Sequence, residues 1–540
     1  MGVTSLGTLA SRVLGLVRDM ATASLLGLSS GGVMDAFVLA FRIPNLFRRL
    51  FGEGALTASY VPVLSARLLG PRPRAWQLVS VSLAWLALLL AVLVVAGEAL
   101  CGALAWWYAE RPDVLLVTGL SAVMLPYMLL ICLTAHLAGT LQALGHFGIP
   151  ALTPVLMNLC WLAAVWGVAP WFSSNEAAQA YVIAVAIVIS GVLQVGVQHA
   201  ALRRLGFRFD FDWTAARNDV RQVATNMAPM MLGLAVTQVN TLLDSLLAWG
   251  LTRPPRSAGA LSTWGTIEVP YPLEAGATAA IYYGERMYQF PQAMLGIAVA
   301  TVIFPLLSRH AARNQLARLS DDLALGLRLV LLLALPAAAG LVLLAEPLAR
   351  LLFERGEFTS DDARRTAAMI AGYGVGVWAY CATPVIVRGY YALGERLLPV
   401  RVGAAVVGLN FALNLALVWP LAELGLALAT AAAAGVETIV LAALFSRRVG
   451  SLGWRSLASS LARTAAATAV MSLCVWQWLL LVPHRPPVAW QLLRVGGATG
   501  VALLVFFSAA MLLRQPELAL LVARRSADPD HREDAGSHGP

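Results

Sequence analysis

The chain has 540 residues, of which 59% are apolar and only 12% are charged, and its mean hydropathy is +0.74. This composition excludes a soluble globular protein and a disordered protein, and one or two membrane anchors would not absorb so much apolar sequence. The apolar runs are long and continuous, without the roughly ten-residue alternation of an outer-membrane barrel, so the sequence predicts an all-α polytopic membrane protein.

The formal net charge of +9 comes from arginine, since the sequence contains no lysine. The arginines lie mostly in short loops between apolar runs, and no basic face carries interleaved aromatic residues, so we expect no nucleic acid partner. The five cysteines stand singly inside apolar stretches, a pattern typical of small buried side chains.

Fourteen apolar runs, taken in chain order, predict fourteen transmembrane helices. The predicted bounds are 4–26, 33–51, 76–106, 114–140, 150–170, 179–201, 222–250, 278–308, 323–345, 364–392, 398–420, 423–446, 457–482 and 488–513. The loops on the side of the N-terminus and the C-terminal tail together hold twenty arginines, and the opposite loops hold eight. This asymmetry predicts that both termini lie in the cytoplasm.

Two short motifs recur at similar distances along the chain. Residues 61–65 resemble 304–308, and residues 143–150 resemble 392–399, with offsets of 243 and 249 residues. The repeat predicts two parallel six-helix lobes around a central cavity, followed by two C-terminal helices. The predicted domains are an N-lobe over 1–205, a C-lobe over 206–450 with an extracytoplasmic insertion at about 250–277, helices 13 and 14 over 451–513, and a cytoplasmic tail over 514–540.

Predicted helix 1 is apolar except for a polar stripe formed by Arg12, Arg18 and Asp19. An arginine that faces lipid at the middle of a helix costs on the order of 2.5–3.5 kcal/mol even on insertion scales. These side chains are therefore expected to face a hydrated interior.

Predicted helix 2 is also rich in charge, with Asp35 near its start and Arg48, Arg49 and Glu53 near its end. Pro44 is expected to kink this helix, and Arg49 and Glu53 have the i,i+4 spacing of an ion pair.

By the repeat, helix 8 is the counterpart of helix 2. Arg286 on helix 8 is therefore expected to face the central cavity from the other half of the chain. Guanidinium groups are always charged and offer forked donors that match phosphate oxygens, so these arginines are candidates to bind a pyrophosphate. The candidate anion-binding residues are Arg12, Arg18, Arg48 and Arg286. The alternative is that they pair only with Asp19, Asp35 and Glu53 and hold the helices together.

A second polar group falls on predicted helices 7, 11 and 12. Asp244 lies in the middle of helix 7, Asn410 and Asn414 are one turn apart on helix 11, and Thr430 lies on helix 12. A carboxylate with amide and hydroxyl oxygens inside the membrane is a candidate site for Na⁺ or for a proton, and Glu437 is a further candidate. The alternative is hydrogen bonding between helices.

Four segments carry a resemblance to a known family. They read SRVLGLVRD at 11–19, DAFVLAFRIPNLFRRLFGEGA at 35–55, YYGERMYQFP at 282–291 and LLFERGEFT at 351–359. They resemble the lipid II flippases of the multidrug/oligosaccharidyl-lipid/polysaccharide exporter superfamily.

The resemblance implies two six-helix lobes, a groove for the polyprenyl tail formed by helices 13 and 14, and lipid II as the cargo. It also implies that Arg12, Arg18, Arg48 and Arg286 bind the cargo and that the acidic positions Asp19, Asp35 and Glu53 are important. Ion pairs that break and re-form can close the gates of a transporter, so Asp19, Asp35, Arg49 and Glu53 are candidate gating residues. The insertion is longer than the usual helix 7–8 connection. Asn414 stands where the family can have an acidic residue at its cation site, so the chain departs from the family pattern there.

We therefore expect a transporter, not an enzyme, that flips lipid II across the cytoplasmic (inner) membrane by alternating access. The expected partners are lipid II and membrane lipids, the expected state is a monomer, and the expected cofactor is none beyond coupling to Na⁺ or H⁺. Alternatives within the superfamily are a flippase for another polyprenyl-linked oligosaccharide and a drug or cation antiporter. A membrane enzyme is disfavoured because the seven histidines are scattered and no nucleophile or phosphate-binding motif is present.

Overall fold

The computed structural model describes residues 2–28, 31–52, 55–173, 175–254, 262–264, 267–450 and 452–518. These residues are almost all helical, which confirms the prediction of an α-helical polytopic protein. The helices before the predicted insertion are α1 (Gly2–Leu26), α2 (Val33–Phe47), α3 (Ala55–Leu68), α4 (Arg72–Trp107), α5 (Pro112–Ala143), α6 (Gly148–Ala163), α7 (Glu176–Arg204) and α8 (Trp213–Gly250).

Within the predicted insertion, the strands β1 (Ser262–Trp264) and β2 (Ile267–Val269) pair antiparallel, an element that the all-α prediction did not include. The helices that follow are α9 (Ala277–Pro291), α10 (Ala298–Ala312), α11 (Leu316–Leu343), α12 (Ala345–Phe353), α13 (Ser360–Val375), α14 (Val377–Ala392), α15 (Leu397–Val449), α16 (Trp454–Leu481) and α17 (Val488–Leu512).

Among the described residues, ten helices are long and apolar enough to cross a membrane, or eleven if the bent α13–α14 pair forms one span. Three features account for the difference from fourteen. Helix α1 carries three charged residues and α2 has only 15 residues. The 53 residues of α15, which are broken at Ala422, count once although they cover two predicted spans.

Helix α15 folds back on itself near its middle. Ala422, two residues after Pro420, has φ 48° and ψ −131°, which is not helical. A Cβ on Gly425 would lie 2.2 Å from the carbonyl oxygen of Leu417. In a straight helix these two residues are about 12 Å apart along the axis, so the chain makes a sharp reversal here that requires glycine at 425.

Helix α2 runs through Pro44 to Phe47 and continues as the π-helical turn Arg48–Gly52. The kink predicted at Pro44 stays a prediction. The thiol of Cys132 on α5 lies 3.7 Å from the carbonyl oxygen of Phe47, at the point where the α-helix ends.

The second half of the chain repeats this arrangement. Helix α9 ends at Pro291 and continues as the π-helical turn Gln292–Ile297, and the thiol of Cys381 on α14 lies 3.7 Å from the Pro291 carbonyl oxygen. The two cysteines are 249 residues apart, the same offset as one of the repeated sequence motifs. The duplicated sequence therefore carries a duplicated helix break.

The chain packs as two compact units, each built from several segments. The first comprises Met1–Tyr283, Leu352–Met369 and Gly403–Leu426, and the second comprises Gly284–Leu351, Ile370–Val402 and Ala427–Pro540. These segments do not coincide with the predicted lobes, whose boundaries stay a prediction.

Glycine allows close helix packing inside each unit. In the first unit, a Cβ on Gly191 of α7 would lie 2.9 Å from side-chain atoms of Tyr127 and Leu130 on α5. In the second, a Cβ on Gly389 of α14 would lie 2.9 Å from the ring of Phe445, which packs edge-on against Tyr390. Small residues that let helix backbones approach are the usual solution inside a membrane.

Candidate functional site

The polar stripe of α1 forms a buried ion pair. Arg18 and Asp19 are each only 6% exposed, and the Arg18 Nε and Nη2 atoms donate to the same Asp19 oxygen, at 3.0 and 2.6 Å. A charge at this depth requires a partner of opposite sign and further hydrogen bonds, because its hydration shell has been removed.

Three residues from elsewhere in the first unit hold the Arg18–Asp19 pair in place. Arg18 Nη1 donates to Asn158 Oδ1 of α6 at 3.2 Å, and the Tyr282 hydroxyl of α9 donates to Asp19 at 3.1 Å. The Arg18 guanidinium carbon also lies 4.5 Å from the ring centre of Trp161, which is cation–π geometry. Asn158 in turn donates to the carbonyl oxygen of Ser11, so it also ties α6 to α1.

Trp161 is held by an aromatic cluster and by a hydrogen bond. Its ring packs edge-on against Phe37 and Phe41 of α2, and its Nε1 donates to the Thr22 hydroxyl at 2.9 Å. A small cavity of about 10 Å³ lies beside it, with room for about one water molecule. The cavity is lined by Asp19, Thr22, Met34, Phe37, Val38, Phe41, Trp161, Tyr282 and Tyr283.

Asp35 of α2 caps the start of α9. Its two carboxylate oxygens accept hydrogen bonds from the backbone N–H groups of Gly276 at 2.6 Å and Ala279 at 2.8 Å. The positive end of the helix dipole and the free N–H groups of a first turn both favour a carboxylate there. Gly276 has φ 96°, and a Cβ on it would lie 2.8 Å from the Leu28 carbonyl oxygen, so glycine is required at this contact.

An ion pair that sequence reasoning missed contacts the loop that precedes α9. Arg365 of α13 donates to Glu423 of α15, with Nε 3.0 Å from the Glu423 oxygen, and its Nη1 donates to the Ala275 carbonyl oxygen at 2.7 Å. Both residues fall at the ends of predicted helices, where charge is ordinary, so the sequence offered no signal beyond the charges themselves.

The other predicted site residues lie outside the Arg18–Asp19 cluster. Arg12 is exposed on α1, whereas Arg48 and Arg49 lie in the π-helical turn, where Arg48 Nε donates to Asn45 Oδ1 at 2.9 Å. Glu53, the predicted partner of Arg49, lies outside the described residues. Arg286, on α9, belongs to the second unit.

Three of the four residues of the predicted cation site come together in the first unit. The Nδ2 atoms of Asn410 and Asn414 donate to the same Asp244 oxygen at 2.8 and 2.7 Å, and Asn240 Nδ2 donates to the other at 3.2 Å. All of Asp244, Asn410 and Asn414 are buried. Thr430 and Glu437 belong to the second unit.

Two amide oxygens of this cluster are candidate ligands for a cation. The Oδ1 atoms of Asn410 and Asn414 are buried and accept no hydrogen bond within the part of the chain that the structure describes. Carboxylate and amide oxygens are the ligands that hard cations such as Na⁺ prefer, so the residues present fit such an ion. A cluster of three or more His, Cys, Asp or Glu side chains with the spacing of a metal site is absent from the described ranges.

The family model and the sequence relatives that match this chain carry the same description. The family model described as "Lipid II flippase MurJ" matches residues 22–490. A probable lipid II flippase MurJ of Rhizobium tropici is 30% identical over 91% of this chain and 87% of its own length, and one of Vibrio cholerae is 30% identical over 81% of each.

Solved structures show the same fold. A lipid II flippase MurJ in an inward closed conformation covers 95% of this chain and 99% of its own, with a TM-score of 0.71 and 20% identity. An inward-facing multidrug resistance transporter of the MATE family matches with a TM-score of 0.65 and 15% identity, over 82% of this chain and 95% of its own. The extent of the family match establishes that the chain belongs to the lipid II flippase MurJ family, a family of transporters rather than enzymes.

Proposed function

We propose that this protein flips lipid II from the inner to the outer leaflet of the cytoplasmic membrane by alternating access, working as a monomer. Membership of the family supports lipid II as the cargo. One observation supports the proposed anion-binding site: the buried Arg18 guanidinium lies in a polar cluster with Asp19, Asn158 and Tyr282, beside a cavity. A permanent positive charge with forked donors is what a buried pyrophosphate requires.

In this proposal, Asp19 is the counter-ion that Arg18 holds while no cargo is bound. Pyrophosphate oxygens then take the place of the Asp19 carboxylate on the guanidinium, while the Trp161 ring keeps the guanidinium plane in position. The cavity of about 10 Å³ has room for about one water molecule, so binding of a sugar-peptide headgroup requires an opening movement. The proposed cargo-binding residues are Arg12, Arg18, Arg48 and Arg286.

The proposed gate is the cap that Asp35 places on α9, together with Arg365 and Glu423. Both contacts join segments distant in sequence through a few hydrogen bonds. Such bonds break and re-form at modest cost when exposed to water, as an alternating gate requires. We propose that Asp19, Asp35, Arg49 and Glu53 act in this gating.

The proposed membrane arrangement has fourteen spans, two six-helix lobes and both termini in the cytoplasm. The reversal at Ala422 supports counting α15 as two spans. The π-helical turn Arg48–Gly52 lengthens α2 by 5 residues, which supports counting it as a span. The arginine asymmetry of the loops supports the orientation.

We propose that Asp244, Asn410 and Asn414, with Thr430, bind the coupling cation. The two buried amide oxygens without a hydrogen bond support this role. The ion supplies a positive charge that holds the helices carrying these residues together. Membrane potential is a second driving force, since it favours outward transfer by about 2.3 kcal/mol per negative charge per 100 mV.

Complementation tests the proposal. The resident lipid II flippase of a bacterium is depleted and this chain is expressed as wild type, Arg18→Lys and Arg18→Gln, at matched membrane levels. We expect rescue by the wild type, weak rescue by lysine, which keeps the charge but loses the fork, and none by glutamine. Arg111→Gln is the matched control because Arg111 also pairs with a nearby aspartate, Asp113, at 2.6 Å, but in an exposed position. Full rescue by Arg18→Gln would refute the anion site, and absence of rescue by inserted wild type would refute the cargo.

A further inference from the structure

The segment between α7 and α8 carries an exposed row of aromatic side chains. Residues 207–213 read FRFDFDW, and Phe209 stacks on Phe211 with ring centres 5.7 Å apart and planes at 6°. Phe209 is 50% exposed, Phe211 61% and Trp213 40%. Large apolar side chains at such exposure mark a surface that contacts lipid or a partner.

This segment runs along α4 and is fixed to it. Phe207 is buried against Trp76 with ring centres 5.3 Å apart, and the backbone N–H of Asp210 donates to the Ser80 hydroxyl at 3.0 Å. Trp213 then reaches Trp85, whose ring centre lies 5.3 Å away. Contacts at 76, 80 and 85 show that the segment follows the helix axis instead of projecting away from it.

The depth of the segment follows from the length of α4. This helix has 36 residues, or about 54 Å, whereas the hydrocarbon core of a bilayer is about 30 Å thick. Trp85 and Trp106, both at least half exposed, are 21 residues apart, which is about 32 Å of helix. Tryptophans at this spacing mark the two membrane interfaces, so Trp85 and the aromatic row lie at the interface where α4 begins.

Positive charge surrounds this row. The arginines at the start of α4, at the end of α7 and within the segment are all exposed. Of the two acids in the segment, Asp210 accepts a hydrogen bond from Gln77 at 2.9 Å, and Asp212 accepts one from the Ala215 N–H at 3.1 Å as the cap of α8. The exposed arginines are Arg72, Arg74, Arg203, Arg204 and Arg208.

We propose that α4 and residues 205–213 form a binding surface for an anionic phospholipid of the leaflet at which α4 begins. The acyl chains lie against Trp85 and the apolar face of α4 that continues through Leu88 and Val92, and the phosphate meets the arginines. The charge of the surface and its interfacial depth select an acidic lipid, and the aromatic row distinguishes it from a bare basic patch.

Lipid binding to the purified full chain tests this proposal by native mass spectrometry. The protein in detergent is titrated with phosphatidylglycerol and, separately, with phosphatidylcholine of the same acyl chains. We expect the first phosphatidylglycerol to bind at least tenfold more tightly than phosphatidylcholine. The triple variant Arg72→Gln, Arg74→Gln, Arg208→Gln should lose about fivefold per arginine for phosphatidylglycerol alone.

A second variant and a control keep the outcomes distinct. Phe209→Ser with Phe211→Ser should weaken both lipids, because it removes apolar contact and leaves the charge. Arg309→Gln with Arg313→Gln removes two exposed arginines elsewhere and should change neither. Equal affinity for the two lipids, an equal loss in the control, or unchanged binding in the triple variant would overturn the proposal. None of these measurements depends on cargo transport, so they are independent of the proposed function.

Discussion

Two aspartates of the first unit are buried to almost the same extent and have opposite surroundings. Asp19 receives a guanidinium from Arg18 and a hydroxyl from Tyr282, whereas Asp244 receives side-chain amides from Asn240, Asn410 and Asn414. In the first arrangement a buried guanidinium can bind an anion. In the second, the buried amide oxygens of Asn410 and Asn414 beside the carboxylate are candidate ligands for a cation.

Breaking the Arg18–Asp19 pair should have the largest effect. Arg18→Gln leaves a buried carboxylate without the guanidinium and is expected to cost about 3–5 kcal/mol of stability, whereas Arg18→Gln with Asp19→Asn removes both charges and should recover most of it. Both variants should lose lipid II flipping, because neither retains the guanidinium. Thermal unfolding in detergent gives the stability, and protection of lipid II in vesicles gives the flipping.

The same cycle on Arg111 and Asp113 is the control. These residues form an exposed pair, so each single variant should lie within about 1 kcal/mol of the wild type and flip normally. If the Arg18 double variant flips lipid II, the guanidinium is structural and the anion site lies elsewhere.

The Asp244 cluster should respond to a cation and the Asp19 cluster should not. In Na⁺ at a hundred times its dissociation constant, bound ion stabilises the folded state by about 2.7 kcal/mol, so the wild type should unfold at higher temperature in NaCl than in choline chloride. Asp244→Asn should abolish this difference, and Asn414→Asp, which adds a second carboxylate, should enlarge it. Wild type that unfolds at the same temperature in both salts would show that the cluster only joins helices.

Removal of the Asp35 cap should have a smaller, local effect. Asp35→Asn replaces one acceptor oxygen with a donor that faces an N–H group, at an expected cost of about 0.5–2 kcal/mol. Hydrogen exchange of the peptide that contains Gly276 and Ala279 should quicken by about two- to thirty-fold. Asp212→Asn, at the cap of α8, is the control and should leave this peptide unchanged. Unchanged exchange in Asp35→Asn would remove Asp35 from the gate.

Sequence reasoning could predict the helical class and the polar residues of each site, because charge inside an apolar run is visible without a structure. Arg18, Asp19, Asp244 and Asn414 were identified in this way.

Sequence reasoning could not predict the partners. Asn158 and Tyr282 meet the Arg18–Asp19 pair from 140 and 264 residues away, and an asparagine or a tyrosine in an apolar run carries no sign of what it will contact. Two changes in helix geometry were also unpredicted: the π-helical turns and the reversal at Ala422, which depend on tertiary packing such as that of Gly425 against Leu417.

An ion pair whose arginine is partly exposed should have the smallest effect and shows what burial of the guanidinium contributes. Arg67 Nε and Nη2 donate to the two oxygens of Asp219 at 2.7 and 2.6 Å, joining α3 to α8, and this hydrogen bonding raises the pKa of Arg67 above its ordinary value. The Arg67 side chain is 42% exposed and that of Asp219 only 9%, so water and salt screen the pair from the arginine side. Arg67→Gln should therefore cost on the order of 1 kcal/mol, less than Arg18→Gln, and the cost should shrink at 1 M salt. The Arg18→Gln penalty should persist at that salt, because ions do not enter the packed site. If both penalties respond equally to salt, Arg18 is hydrated in solution and its pairing with Asp19 is no stronger than a surface contact.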